Sequence, residues 1–133
     1  MPEVSISITR SGASAALAQI RRHFVTMDRP DEKGGEDLGP MGGETLLAAL
    51  GGCFMSNLLA AASARGLDLG EIELEITGTL DGSPPVFREV TMTVAGPRGD
   101  MGLEKLVTIA ERGCIVANTL RNGVSLSLSV VSP

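Results

Sequence analysis

Residues 44–65 form the segment that most restricts how this chain can fold. The pattern predicts a single helix, with Arg65 in its last turn and Gly66 as its C-terminal cap. Apolar side chains occupy nearly every face of that helix: Leu46, Leu47, Leu50, Phe54, Met55, Leu58 and Leu59. A helix that is apolar all round is normally buried in protein. A chain of 133 residues with one sheet is too small to cover it on every side, so we predict an obligate homodimer.

The rest of the chain predicts an α+β fold in a single domain over residues 1–133. Alternation of apolar and polar residues is typical of strands. It predicts one strand in each of 3–9, 71–80, 86–95 and 124–131, and one long or two short strands within 14–28. A second helix is predicted from near residue 102 to about Arg121, with Cys114 on its apolar stripe. Residues 29–43 are predicted to be a long loop, and such loops are often functional.

Composition argues against a nucleic-acid partner. Aromatic residues make up 2% of the chain, with three Phe, no Trp and no Tyr. Proteins that bind single-stranded nucleic acid stack the bases on aromatic side chains. The net charge of −5 also opposes binding to a phosphate backbone.

The longest apolar stretch, residues 46–62, is short for a membrane span and contains two glycines, a serine and an asparagine. A buried helix is the better interpretation, so we expect no membrane partner. Residues 1–10 lack the charged start and the continuous apolar stretch of a signal peptide. A cytoplasmic location is therefore the default expectation, and there two cysteines are more often free, catalytic or metal-binding than a structural disulfide.

The two cysteines, Cys53 and Cys114, lie in matching settings. Each follows a glycine, which would let another backbone approach closely, and precedes an apolar residue. Each has an asparagine four positions later, Asn57 and Asn118, whose amide would need a partner if buried. Both segments are predicted to be helical, so the sulfur atoms would meet if the helices pack. The alternative is that each cysteine is simply a small core residue.

Glu44 is the acidic candidate for a site around these thiols. Its carboxylate would complement the dipole at the start of the first helix, or would hold an arginine over Cys53 or orient a substrate. Glu44 lies nine residues before Cys53, which on a regular helix places the two about 180° apart. Glu44 therefore either precedes the regular helix or serves a site built with the partner chain.

A cation near a buried thiol lowers its pKa, and Arg29 in the long loop is the preferred candidate. Arg21 and Arg22 are neighbours in a predicted strand, so only one of them can point inward. Arg112 would face away from Cys114 on a helix, and Arg121 is better explained by the helix dipole.

His23 is the only histidine. A cysteine–histidine hydrolase would need it beside a thiol. A structural zinc site made from the two cysteines and His23 would be one ligand short. We expect no metal and no cofactor.

Several segments resemble the osmotically inducible protein C and organic hydroperoxide resistance family, called OsmC/Ohr. They are residues 23–25, 28–30, 34–40, 44–53, 110–114 and 118–120. The resemblance covers most of the chain from about His23 onward and is most specific around Cys53 and Cys114. It implies an α+β fold with a mixed sheet and two helices, and an intertwined dimer whose central helices are buried.

Many members of that family are thiol peroxidases for organic hydroperoxides. The resemblance implies that Cys53 is the peroxidatic thiol and Cys114 the resolving thiol, with an external dithiol as reductant. Family peroxidases often carry their glutamate one position before that of Glu44, and a proline where this chain has Ile115. The alternative function is a non-catalytic dimeric protein that binds an apolar small molecule or senses redox state.

Overall fold

The computed structural model describes residues 1–96 and 102–132. They form two compact units, one over residues 1–48 and one from residue 49 onward. Helices and strands occur together, which confirms the predicted α+β class. In the described part of the chain, the strands form two antiparallel sheets and there are three α-helices. The predicted loop over residues 96–102 lies largely outside the described residues.

The first unit contains a three-stranded antiparallel sheet in the order β1-β2-β3, made of β1 (Ser7–Ser11), β2 (Ala15–Ile20) and β3 (His23–Met27). Residues 14–28 therefore hold two short strands, one of the two predicted alternatives. Ile20 pairs with His23, so Arg21 and Arg22 form the turn between β2 and β3 and are both exposed. The expectation that these two arginines lie within a strand was wrong.

The long loop after β3 is organised around the buried carboxylate of Asp28. That carboxylate accepts hydrogen bonds from the Ser14 hydroxyl (2.7 Å) and from the backbone N–H groups of Arg29 (2.7 Å), Glu36 (3.2 Å) and Leu38 (3.2 Å). A Cβ on Gly35 would lie 1.9 Å from the Arg29 carbonyl oxygen, so only glycine allows the loop to close this tightly. The apparently irregular segment is thus folded onto one acidic side chain.

Asp28→Asn should lower the melting temperature and remove a pH-dependent part of the stability. The hydrogen bond from Ser14 is the largest of the effects that lower the pKa of Asp28, and the three backbone N–H groups add to it. A depressed pKa in the folded state contributes stability above the unfolded pKa of about 3.9, and this stability is lost as pH falls through the folded pKa. Melting curves between neutral and acidic pH measure the effect, with the exposed Asp31→Asn as control. Equal acid sensitivity of wild type and Asp28→Asn would contradict the expectation.

Helix α1 (Gly42–Ser63) begins two residues earlier than predicted. Glu44 Oε1 accepts a hydrogen bond from the backbone N–H of Met41 at 2.8 Å, which satisfies a donor that the helix start leaves free. Glu44 lies inside the regular helix. Of the two alternatives for this residue, the one in which it precedes the helix is therefore excluded.

Helix α1 ends at Ser63, two residues before the predicted end at Arg65, so Arg65 lies just beyond the helix, whereas the predicted cap at Gly66 is confirmed. Gly66 has φ +67°, and its N–H donates to Ser63 O while that of Leu67 donates to Ala62 O. The Arg65 guanidinium donates to Ala61 O at 3.0 Å, so it satisfies a carbonyl of the last turn.

The sheet of the second unit is a hairpin of β4 (Glu73–Asp81) and β5 (Val86–Ala95). Glu73 and Glu75 are exposed, as the alternation predicts. The opposite face packs on the core through Leu74, Ile76, Val90, Met92 and Val94.

The core of the second unit is built on α1. Its largest fully buried side chains are Phe54, Leu58, Leu69, Leu106 and Cys114. Leu46 and Leu59 of the same helix remain exposed in the single chain.

By length and composition α1 would also qualify as a membrane span, a test that core helices pass as well. The cytoplasmic location stays a prediction.

The predicted second helix is in fact two helices, α2 (Leu103–Gly113) and α3 (Ile115–Asn122). Cys114 lies between them with φ −77° and ψ 109°, an extended conformation. The prediction that Cys114 lies within a helix was wrong.

Residues 124–131 were predicted to form a strand and do not form one in the single chain. Their apolar side chains are exposed, with Leu126 at 82%, Leu128 at 89% and Val130 at 97%. An alternating sequence needs a neighbouring strand to accept its backbone hydrogen bonds, and the part of the chain that the structure describes supplies none here.

Candidate functional site: a thiol pair at a helix break

The structure brings the two thiols together. Cys53 is half-buried on α1 and packs against the core, whereas Cys114 is fully buried at the α2–α3 break. Cys53 packs against the buried cluster that contains Cys114, and the interaction between the two thiols contributes to the pKa of each. Both cysteines are free.

Cys114 serves as the N-cap of α3. Its sulfur accepts a hydrogen bond from the backbone N–H of Ala117 at 3.5 Å, and its carbonyl accepts one from Asn118 N at 2.9 Å. Ser, Thr, Asp and Asn are the usual residues at this position, so a cysteine gives little warning of a helix start.

The N-terminal backbone of α3 also acts on Cys53. Hydrogen bonding from the Val116 N–H is the largest effect and lowers the pKa of the Cys53 thiol. Burial opposes it, while the Cys114 thiol and the Ile115 N–H lower the pKa further. Unpaired N–H groups at a helix start carry partial positive charge, so they favour a thiolate.

Cys114 is shifted in the opposite direction. Burial is the largest effect and raises the pKa of its thiol, although hydrogen bonding from the Ala117 N–H lowers it. The environment therefore favours one thiolate, on Cys53, beside one neutral thiol, on Cys114. A thiolate next to a neutral thiol is suited to nucleophilic attack followed by disulfide formation.

Both asparagines find partners on the last turn of α2. Asn57 Nδ2 donates to Ala110 O at 3.2 Å, and Asn118 Nδ2 donates to Arg112 O at 3.1 Å. The expectation that a buried amide needs a partner agrees with the half-buried Asn57, whereas Asn118 is exposed and was not buried as expected.

The two glycines before the cysteines have different surroundings. A Cβ on Gly113 would lie 3.3 Å from Asn57 Nδ2, so this glycine does give close approach. A Cβ on Gly52 would meet nothing within 4 Å, so the expected role of Gly52 was wrong. The close contact is at Gly51, where a Cβ would lie 2.5 Å from the Ile76 side chain.

The charged candidates Glu44 and Arg29 belong to the first unit, and the two cysteines to the second. The Arg29 side chain is exposed, and its backbone N–H and carbonyl bind Asp28 and Asp37 within the loop. Arg121 pairs with Glu111. The sequence did not reveal the backbone N–H groups of Ile115 and Val116, because main-chain donors have no residue signature.

His23 is exposed at the start of β3. Within residues 1–96 and 102–132, no group of three or more His, Cys, Asp and Glu side chains is arranged to hold a metal ion.

An apolar cavity of about 260 Å³ lies in the second unit. Its lining consists of Leu50, Phe54, Val90, Met92, Val94, Val107, Glu111, Ala117, Leu120 and Arg121. Neither cysteine lines it, although Phe54 is the neighbour of Cys53 in the chain. The Glu111–Arg121 ion pair gives one part of an otherwise apolar wall a polar character.

Solved structures share this fold. A hypothetical protein from Aquifex aeolicus VF5 has a TM-score of 0.77 at 15% identity, covering 92% of this chain and 89% of that chain. An OsmC-like protein from Mycoplasma pneumoniae has a TM-score of 0.73 at 19% identity, covering 90% and 88%. An organic hydroperoxide resistance protein from Elizabethkingia anophelis has a TM-score of 0.65 at 18% identity, covering 90% of each chain. At such identities the likeness concerns the fold.

The sequence itself carries the family assignment. No curated protein matches the chain. The family model described as OsmC-like protein matches residues 34–129, which include both cysteines and all three α-helices. The chain belongs to the OsmC-like protein family.

Proposed function

We propose that this protein reduces organic hydroperoxides with its thiol pair, using Cys53 as the attacking thiol and Cys114 as the resolving thiol. The observation that carries the proposal is the contact between a half-buried thiol whose pKa is lowered and a fully buried thiol whose pKa is raised. The family match supports a redox-related role, and several solved structures of this fold are named organic hydroperoxide resistance proteins.

The proposed reaction balances with one dithiol per hydroperoxide. The Cys53 thiolate attacks the peroxide oxygen, the O–O bond breaks, and the leaving alkoxide takes a proton to become an alcohol. Cys53 is then a sulfenic acid. The Cys114 thiol attacks that sulfur, releasing water and forming a Cys53–Cys114 disulfide. An external dithiol reduces this disulfide by two thiol–disulfide exchanges and is itself oxidised.

We propose supporting roles for Arg29, as the cation that lowers the pKa of Cys53, and for Glu44, from the partner chain of a dimer. Glu44 lies inside α1 and accepts the Met41 N–H, the helix-start role that the sequence also offered, so any role at the thiols would be at a site shared with a second copy. Arg29→Ala and Glu44→Gln, assayed beside the exposed turn variant Arg22→Ala, test these roles through the rate of hydroperoxide consumption.

The homodimer is part of the same proposal. Leu46 and Leu59 of α1 are exposed in the single chain, as are the apolar side chains of residues 124–131. Exposed apolar surface on this scale is typical of an interface. A second copy would cover α1 and offer a sheet edge to the C-terminal segment. Sedimentation equilibrium tests this, and a monomer would overturn it.

In Cys114→Ser the sulfenic acid on Cys53 should accumulate. With no resolving thiol, steady-state turnover with a dithiol should fall about tenfold or more, because the sulfenic acid must wait for an external thiol. After one equivalent of an alkyl hydroperoxide, dimedone should label Cys53 in this variant, as read by peptide mass spectrometry. Wild type should instead lose two hydrogens as the disulfide forms. Absence of both products would count against the proposal.

The second candidate function is a non-catalytic protein that binds an apolar small molecule. The cavity of about 260 Å³ favours it, because a mostly apolar lining with one ion pair is typical of ligand sites. This function requires negligible hydroperoxide turnover and a small molecule that co-purifies, detectable by native mass spectrometry. Rapid turnover that depends on Cys53, with no bound molecule, would exclude it.

A further inference from the structure

We propose that Asn57 and Asn118 are positioning residues of the thiol site, which end α2 at Gly113 and so hold the start of α3 against Cys53. The effect of these asparagines on catalysis rests on the proposed function. Their positions follow from their hydrogen bonds alone.

The first step is the hydrogen bond that joins α1 to the end of α2. The Asn57 amide reaches Ala110 O, 53 residues away in the chain, and packs on Gly113. Asn57 lies one turn after Cys53 on α1. Helix α1 therefore carries both the attacking thiol and the amide that binds the C-terminal end of α2. This amide fixes the position of that end relative to Cys53.

The second step is the hydrogen bond that spans the break. Asn118 lies in the first turn of α3 and donates to Arg112 O in the last turn of α2. Carbonyls in the last turn of a helix have no intrahelical partner. Two of the last-turn carbonyls of α2 accept hydrogen bonds from these two asparagines. These bonds favour the break between α2 and α3 over one continuous helix.

The third step connects the break to the thiol. If α2 continued through Cys114, the N–H groups of Ile115 and Val116 would be used within the helix. The break leaves them free. Val116 and Cys53 pack against the same buried cluster, and hydrogen bonding from these two N–H groups lowers the pKa of Cys53. The titratable group that faces Cys53 is the Cys114 thiol. Of the nearby charged residues, Glu111 and Arg121 pair with each other and Arg112 is exposed.

The test is the pKa of Cys53, measured from the rate of iodoacetamide alkylation between pH 5 and pH 10. Trypsin separates the two cysteines because Arg65 and Arg112 lie between them, so mass spectrometry follows Cys53 alone. Asn57→Leu keeps the number and branching of the side-chain heavy atoms but removes the donor. In Asn57→Leu and Asn118→Ala the pKa of Cys53 should rise by about one pH unit, and alkylation at pH 7 should slow several-fold.

The matched control is Asn122→Ala. Asn122 also donates from its side chain to a backbone carbonyl, Asn118 O at 2.9 Å, but at the far end of α3. Its loss should leave the pKa of Cys53 unchanged. Circular dichroism verifies that each variant is folded. If Asn57→Leu does not fold, the exposed Asn118→Ala decides the question.

An unchanged Cys53 pKa in folded Asn118→Ala would overturn the inference, as would an equal change in Asn122→Ala. Alkylation needs no hydroperoxide. A protein without peroxidase activity would therefore still show whether these two asparagines affect the pKa of Cys53. The failure of the peroxidase proposal can thus be told apart from the failure of the asparagine proposal.

Discussion

Cys53→Ser should reduce the consumption of an alkyl hydroperoxide by on the order of a thousandfold or more, because a serine hydroxyl is not ionised at neutral pH and is a poor nucleophile toward oxygen. The substitution exchanges one small side chain for another at a half-buried position, so the fold should tolerate it. The assay follows the loss of hydroperoxide in the presence of a dithiol. Far-UV circular dichroism checks that the variant is folded.

Ser56→Ala is the matched control for Cys53→Ser. Ser56 lies on the same helix and is exposed, so its variant should keep the wild-type rate. The rate in wild type should also rise with pH through the lowered pKa of Cys53 and then level off, since only the thiolate reacts. A Cys53→Ser protein as active as wild type would refute the proposed reaction.

Leu58→Ala should lower the free energy of unfolding by about 2–5 kcal/mol. Leu58 is 0% exposed and belongs to the core of the second unit. Its truncation removes buried apolar contacts and leaves a cavity that the close-packed surroundings fill only partly. Total stabilities of small domains are about 5–15 kcal/mol, so the loss is a large part of the whole.

Urea denaturation at a fixed protein concentration measures this loss, because a dimer would make stability depend on concentration. Circular dichroism is the suitable probe, since the chain has no Trp and no Tyr. Leu80, 60% exposed in β4, provides the control, and Leu80→Ala should change the stability by less than about 0.5 kcal/mol. A similar change in the two variants would contradict the assignment of Leu58 to the core.

The elements that the sequence predicted well are those whose patterns are local. Helix α1 lies within two residues of its predicted bounds at both ends, and the contacts of Glu44, Arg65 and Gly66 there act within about one helical turn. The hairpin of β4 and β5 follows from alternation on two neighbouring segments. The two thiols pack into the same core, as expected if their segments meet, although Cys114 lies between two helices and not on a helix face.

The parts that the sequence did not predict depend on distant groups. The apolar period of α2 continues through Leu106 and Ala110 to Cys114, so the pattern alone predicts an unbroken helix. The break needs Asn57, which is far away in the chain. The Asp28 carboxylate likewise gathers donors from four positions, and no local pattern marks it as buried.

The sequence by itself determined an α+β chain of the OsmC-like family with an apolar central helix and two thiols, because hydrophobic periodicity and residue identity are properties of short segments. Only the tertiary structure decided that α2 ends before Cys114 and that the start of α3 acts on Cys53. The physical reason is that the start of a helix exposes main-chain donors wherever it occurs, and here hydrogen bonds between distant segments determine where α3 starts.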